Sequence, residues 1–130
     1  MWVDRKLESR LKKELIVWFV TAGKDARPQS VPVWYLFEGD SFLIYSAPGI
    51  KERHVRENPN VELHLNTDET GDIVVRVSGK AKIVKSEPQA HKVPTYLRKY
   101  GAQIKGFGWT PEEFSRRYPY AVRVTALKFH

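Results

Sequence analysis

The chain has 130 residues, 22 of them Lys or Arg and 15 Asp or Glu, for a net charge of +7 and a pI of about 9.7. That length favours one domain, 1–130, which buries about two-thirds of its unfolded surface without a metal or disulfide. The absence of cysteine excludes disulfides and cysteine-ligated metals, and no apolar run approaches the roughly 20 residues of a membrane-spanning helix.

The first apolar stretch, Leu15–Val20, is too short for the core of a signal peptide and lacks a small-residue cleavage pattern. The expectation is a soluble, cytoplasmic protein. The positive balance favours anionic partners. Its cations are spread along the chain, however, with no basic tail and no zinc-finger, RRM or GXXG pattern. Neither nucleic acid nor membrane is expected as a partner.

Asp4–Glu14 reads as a short helix, with Leu7, Leu11 and Leu15 recurring every four residues and Asp4 as N-cap. The β-branched and aromatic run Ile16–Thr21 predicts a buried strand. Gly23, Asp25 and Pro28 make a turn. The second strand is predicted over Ser30–Phe37. Pro32 inside it has no N–H, so this strand must lie at a sheet edge or carry a bulge. Glu38–Asp40 turns the chain into a third strand, Ser41–Ser46, and residues 21–46 read as two successive antiparallel hairpins.

A Ser-Ala-Pro-Gly turn leads into a short helix, Lys51–Glu57, closed by Asn58-Pro59. Val61–Asn66 is the fourth strand. The fifth is predicted over Asp72–Val84, where Ile73, Val75, Val77, Gly79, Ala81 and Ile83 fall on one face and Gly79 suits a bulge or bend. Glu87–Tyr100 is more helical, starting or breaking near Pro94, with Tyr96, Leu97 and Tyr100 able to share a face. Residues 101–109 read as a loop. Thr110, Pro111 and Glu113 spell a capping box, and Tyr120–Phe129 is a sixth strand. The fold expected is mainly β: a small six-stranded antiparallel barrel, closed or split, with peripheral helices.

Little in the chain has the spacing of known chemistry. His54, His64, His91 and His130 are not spaced as metal ligands, and there is no nucleophile elbow, dinucleotide fingerprint or phosphate loop of the Walker type. No catalytic residue and no metal site is assigned. Residues 45–60 stand out instead. Ser46 ends a strand, Gly49 permits a tight turn, and Lys51 falls at the start of a helix, where free N–H groups and the helix dipole favour an anion. Arg53, His54 and Arg56 follow. From the residues alone two readings stay open: a phosphate seat, or a solvated basic helix.

The order of motifs narrows this. Gly23-Lys24-Asp25-Ala26-Arg27-Pro28 precedes Pro32-Val33-Trp34. Ser46, Pro48, Lys51 and Arg53 follow at S-x-P-x-x-K-x-R spacing, then Asn58-Pro59 with Val61, then Gly79 with Ala81. Together they resemble the pyridoxamine 5′-phosphate oxidase-like split barrels, which bind FMN or the deazaflavin coenzyme F420. The tail from Tyr96 to Phe129 is similar to a small branch of the deazaflavin-dependent group. The resemblance covers nearly the whole chain.

It implies a homodimer with two cofactor sites at the interface. Ser46, Lys51 and Arg53 would hold the cofactor phosphate, and Val31, Pro32, Val33 and Trp34 would lie along the tricyclic ring. Trp34 reads equally as a core or interface aromatic, whereas Arg27 and Gln29 read as exposed turn residues. Phe107 and Trp109 are placed to close over the ring. The family often has Asn-Leu after Lys-x-Arg, where this chain has His54-Val55. His54 is therefore the position where the cofactor contact should differ. The implied activity is hydride transfer between F420 and a small organic substrate. F420 is favoured over FMN because its phosphodiester and glutamate tail suit scattered cations. The alternatives are an FMN-binding oxidase, reductase or flavin carrier, and a non-catalytic basic binding module.

Overall fold

The computed structural model describes residues 3–130; Met1 and Trp2, with which the expected domain begins, lie outside the described residues. Among the described residues seven strands form one antiparallel sheet: β1 Val17–Ala22, β2 Pro28–Val33, β3 Leu36–Glu38, β4 Ser41–Ser46, β5 Asn60–His64, β6 Arg76–Ile83 and β7 Tyr120–Phe129. Four α-helices accompany them: α1 Arg5–Lys13, α2 Ile50–Glu57, α3 Pro94–Gly106 and α4 Pro111–Arg117. The strand order is β2-β1-β5-β6-β7-β4-β3.

The two edge strands of that order, β2 and β3, are consecutive in the chain and separated only by Trp34 and Tyr35. So short a link spans roughly 10 Å. The sheet must therefore curl until its edges nearly meet, which makes a split barrel. Seven strands rather than the expected six arise because the run Ser30–Phe37 divides at Trp34-Tyr35. Both expected hairpins form, each with a different piece of that run. β2 pairs with β1 (Val17 opposite Val33) and β3 pairs with β4 (Phe37 opposite Phe42). Pro32 lies, as expected, on an edge strand.

β1 alternates between buried Val17, Phe19 and Thr21 and half-buried Trp18 and Val20, so only one face is in the core, not the whole strand. β4 is buried on both faces. Phe42 and Ile44 point into the barrel with Phe19, Leu63, Val77 and Val124. Leu43 and Tyr45 point outward into a second cluster with Tyr96, Tyr100, Ile104 and Phe114 of α3 and α4. An apolar run with no polar alternation is what a strand covered on both sides requires. Leu7 and Leu11 of α1, capped as expected by Asp4 (Leu7 N to Oδ1, 2.8 Å), and Val55 of α2 join the barrel core. Leu15 lies beyond α1 and is exposed.

Two boundaries moved by four residues or more. β6 begins at Arg76 rather than Asp72, leaving Ile73 and Val74 exposed. The Asp68 carboxylate accepts hydrogen bonds from Ile73 N, Thr67 Oγ1 and Thr70 Oγ1. Those bonds fold residues 67–73 into a compact turn and hold this carboxyl well below the usual carboxylate range. α3 runs through the expected loop to Gly106, because Tyr96, Tyr100 and Ile104 recur every four residues on its buried face. Packing of that face overrides the cost of Gly101 and Gly106. The capping box at Thr110 and Glu113 forms as expected.

The bulge lies opposite Gly79 rather than at it. Ser78 faces Lys128 and Lys80 faces Thr125, so β7 carries the extra residue, and Ala126 adopts a left-handed φ of 53°. Gly79 serves close approach: a Cβ there would lie 2.7 Å from Val124 Cγ1 and 2.9 Å from the Thr125 carbonyl oxygen. No helix among the described residues is long and apolar enough to cross a membrane.

Candidate functional site

A cavity of about 520 Å³ opens between the barrel and its outer helices. Pro32 and Val33 of β2 and the Trp34 that follows form one side. Tyr45 and Ser46 end β4, and Lys51 comes from the first turn of α2. Tyr96 of α3, Phe107 and Trp109 of the α3–α4 turn, and Phe114 and Tyr118 complete the wall with Ile16. The volume is in the range of small-molecule and cofactor sites, which are mostly apolar with a few polar groups to fix orientation.

Trp34 is the centre of the aromatic wall. Its ring stacks with Tyr100 at 4.6 Å (6° between planes) and with Phe114 at 5.4 Å (11°), and Phe107 lies at 6.2 Å. Trp34 thus packs against the helices and lines the cavity at once. Phe107, 61% exposed, stands at the rim next to Trp109, over which the Arg117 guanidinium lies at 4.4 Å.

Lys51 is the one charged side chain lining the cavity among the described residues, and no carboxylate there pairs with it. Burial pulls its pKa below the ordinary lysine value. The helix that carries it begins at Gly49, whose φ of 151° and ψ of −154° belong to a region essentially reserved for glycine. No side chain caps this helix, so its first-turn N–H groups are left for an outside partner. Glu52 in the same turn is neutralised by Arg56 at 2.6 Å, and Arg56 also lies over the Tyr120 ring. The Ser46 hydroxyl donates to the Ala47 carbonyl at 2.9 Å and is 2% exposed as a residue.

Pro32, Val33, Trp34, Ser46 and Lys51 therefore come together. Val31, Arg53 and His54 do not line the cavity. Val31 packs against the barrel core. Arg53 sits two residues after Lys51, which on a helix is the opposite side, and it is exposed. The His54 Nδ1 shares a 3.0 Å hydrogen bond with buried Thr21 Oγ1, and its ring lies against Gly23. His54 thus ties α2 to the end of β1. No histidine lines the cavity among the described residues: His64 stacks on Trp18, His91 bonds Ser115 and His130 bonds Ser78.

Sequence reasoning missed Ile16, Tyr45, Tyr96, Phe114 and Tyr118 as cavity residues. A signal existed: Phe114 and Tyr118, like Tyr96 and Tyr100, are aromatic pairs four apart on one helix face. One wall atom stands apart. The Tyr96 hydroxyl is buried and has no hydrogen-bond partner among the described residues, although Tyr96 lines the cavity. An orphan donor in the wall, an unpaired ammonium and uncapped helix amides are what a planar ligand with an anionic arm would satisfy.

Barrel and cavity together define a split-barrel protein of the FMN-binding fold type. The chain belongs to the pyridoxamine 5′-phosphate oxidase family, whose profile matches residues 3–130. No curated protein sequence matches it. Solved structures similar to it include an F420 reductase at 19% identity and TM-score 0.66, covering 95% of this chain and 94% of that one. A FAD-binding protein of Mesorhizobium loti matches at 20% identity and TM-score 0.61 over 92% and 84% of the two chains. The heme storage protein HutZ of Vibrio cholerae matches at 14% and 0.63 over 98% and 94%. At these identities the likeness is one of fold.

Proposed function

We propose that the cavity binds a flavin-type cofactor, the deazaflavin F420 in preference to FMN, and that the protein is an oxidoreductase acting on a small organic substrate. The observation that carries this reading is the convergence of Pro32, Val33, Trp34, Ser46 and Lys51 on one aromatic cavity from three separate elements. Lys51 and the first-turn amides of α2 would hold the phosphate. Ser46 would accept or, by turning from Ala47, donate a hydrogen bond there. The ring would lie along Pro32–Trp34, with the aromatic wall excluding water. Bound there, the cofactor supplies hydride transfer; the chain supplies binding, orientation and electrostatics. The cavity is open at Pro32 and Phe107, and a second copy of the chain packed over that rim would close it, as the homodimer expectation requires.

The likeness to HutZ favours comparing heme as a ligand. The cavity wall offers iron no histidine, cysteine or methionine among the described residues, and of its tyrosines, a residue type that does ligate heme, burial keeps Tyr45 and Tyr96 protonated, which supports the flavin-type reading over it. The test is a titration of purified protein with FMN, F420 and heme. Micromolar quenching of deazaflavin fluorescence is the expected result. Tight FMN binding with yellow protein selects the flavin alternative. Uptake of none of the three, with salt-sensitive binding to nucleic acid, selects the basic binding module.

A further inference from the structure

No hydrogen bond ties the Tyr96 hydroxyl to the rest of the fold among the described residues. The residue is 0% exposed and its oxygen has no partner among the described residues. The two other buried tyrosines of the same cluster are bonded. The Tyr45 hydroxyl donates to the Pro88 carbonyl at 2.7 Å. The Tyr100 hydroxyl bonds the Tyr35 backbone and the Leu15 carbonyl. A buried hydroxyl left unpaired keeps its full desolvation cost, so an unbonded phenol beside bonded ones calls for a partner from outside the chain. Phenylalanine would fill the same space at no such cost.

Position says which partner. Tyr96 lines the cavity, and two of the rings packed round it, Tyr45 at 5.1 Å and Phe114 at 5.7 Å, are themselves cavity wall. The residue is 0% exposed, so a ligand in the cavity reaches the hydroxyl only by displacing those rings. Burial, reinforced by the neighbouring tyrosines, keeps Tyr96 protonated far above its ordinary range, so it is a standing O–H donor. Lys51 is the cavity's cation and comes from α2, a different element from the α3 that carries Tyr96.

We infer that the Tyr96 hydroxyl is a recognition group: it donates a hydrogen bond to a carbonyl oxygen or ring nitrogen on the planar part of the molecule whose anionic arm Lys51 holds. This rests on the cofactor reading above and deepens it. It makes ring polarity, and not only ring shape, a condition of binding. A ligand lacking the acceptor leaves the phenol unpaired as it is in the free protein, and so forgoes the gain of that one bond.

The test is Tyr96→Phe, compared with the wild type in unliganded melting and in titrations with F420 and FMN. The unliganded variant should melt at the same temperature as the wild type or higher. Its affinity for whichever cofactor the wild type binds should fall about tenfold, equivalent to about 1.4 kcal/mol. The visible band of the bound cofactor should shift, since a hydrogen bond to the ring is lost. Equal affinity and an unchanged band in the variant overturn the inference and leave the cofactor reading standing. A variant that melts several degrees lower also overturns it, because the hydroxyl is then already bonded in the free protein. Wild-type protein that binds neither cofactor overturns the reading itself, and this inference with it.

Discussion

The Tyr100 hydroxyl accepts a hydrogen bond from the Tyr35 amide at 2.9 Å and lies 3.0 Å from the Tyr35 carbonyl oxygen. Tyr35 is half of the two-residue bridge between the barrel's edge strands. Leaving the ladder strips Tyr35 of sheet partners, and α3 supplies them from Tyr100 and Lys99. The same hydroxyl reaches the Leu15 carbonyl at 2.8 Å, and the Tyr35 hydroxyl bonds the Leu11 carbonyl. The seam of the barrel is thus sealed by phenols. Trp34, the other bridge residue, is held in the cavity wall by stacking on the Tyr100 ring.

Tyr100→Phe keeps the stacking but leaves the buried Tyr35 N–H unpaired. It should destabilise the protein by about 1–3 kcal/mol, read as a lower midpoint in denaturant unfolding with an unchanged slope. A loss within error would show that the bridge finds other partners.

Lys51→Ala should cost cofactor affinity about 1.5–3 kcal/mol, the range of a hydrogen bond to a charged group. Because Lys51 forms no ion pair among the described residues and its ammonium is half-buried, the unliganded melting temperature should not fall. Unchanged affinity in the same titration refutes the phosphate assignment. Arg53→Ala, on the far side of α2, should change affinity less.

Gly79→Ala forces a Cβ to 2.7 Å from Val124 and 2.9 Å from a carbonyl oxygen of β7. Overpacking of this kind typically costs about 1–3 kcal/mol. Backbone cannot yield as a flexible side chain can, so the upper half of that range is expected in chemical unfolding.

The buried tyrosines set the alkaline limit of the fold. Burial is the main cause that raises Tyr35, Tyr96 and Tyr100 well above 10.0, and Tyr45 to about 12. A folded pKa above the unfolded one contributes stability that is full below pH 10 and lost as pH climbs beyond it. In a spectrophotometric titration these four should ionise only with unfolding. Smooth ionisation of all of them in folded protein would contradict their burial.

Lys99 titrates in the opposite sense. Burial lowers it from 10.5 to about 8, although its ammonium donates to the Tyr35 carbonyl at 3.0 Å and lies 3.8 Å from that ring's centre. The folded state therefore releases this proton first. Between about pH 8 and 10.5 the wild type should gain stability relative to Lys99→Met, measured by paired melts across that window.

Local sequence determined much of this protein. Period-two alternation, Pro32, the Asp4 cap and the Thr110 capping box each act within a few residues, so each was legible without tertiary knowledge. The motif order carried the family. Lys51 and Ser46 were legible as cavity residues because a strand end, a glycine turn and a helix start are all local events. The helical period put Arg53 on the face opposite Lys51, but the motif resemblance grouped the two, and the structure separates them. The tertiary structure decided the rest. The split of Ser30–Phe37 into two strands depends on hydrogen bonds from Tyr100, some 65 residues away in the chain. The length of α3 depends on the cluster its tyrosines and Ile104 bury. The cavity's inner wall depends on bringing Tyr45, Tyr96, Phe114 and Tyr118 from three parts of the chain against Trp34. A short window shows at most the four-residue aromatic spacing and not which surfaces meet, because the free energy of these contacts appears only when the barrel closes and the outer helices dock.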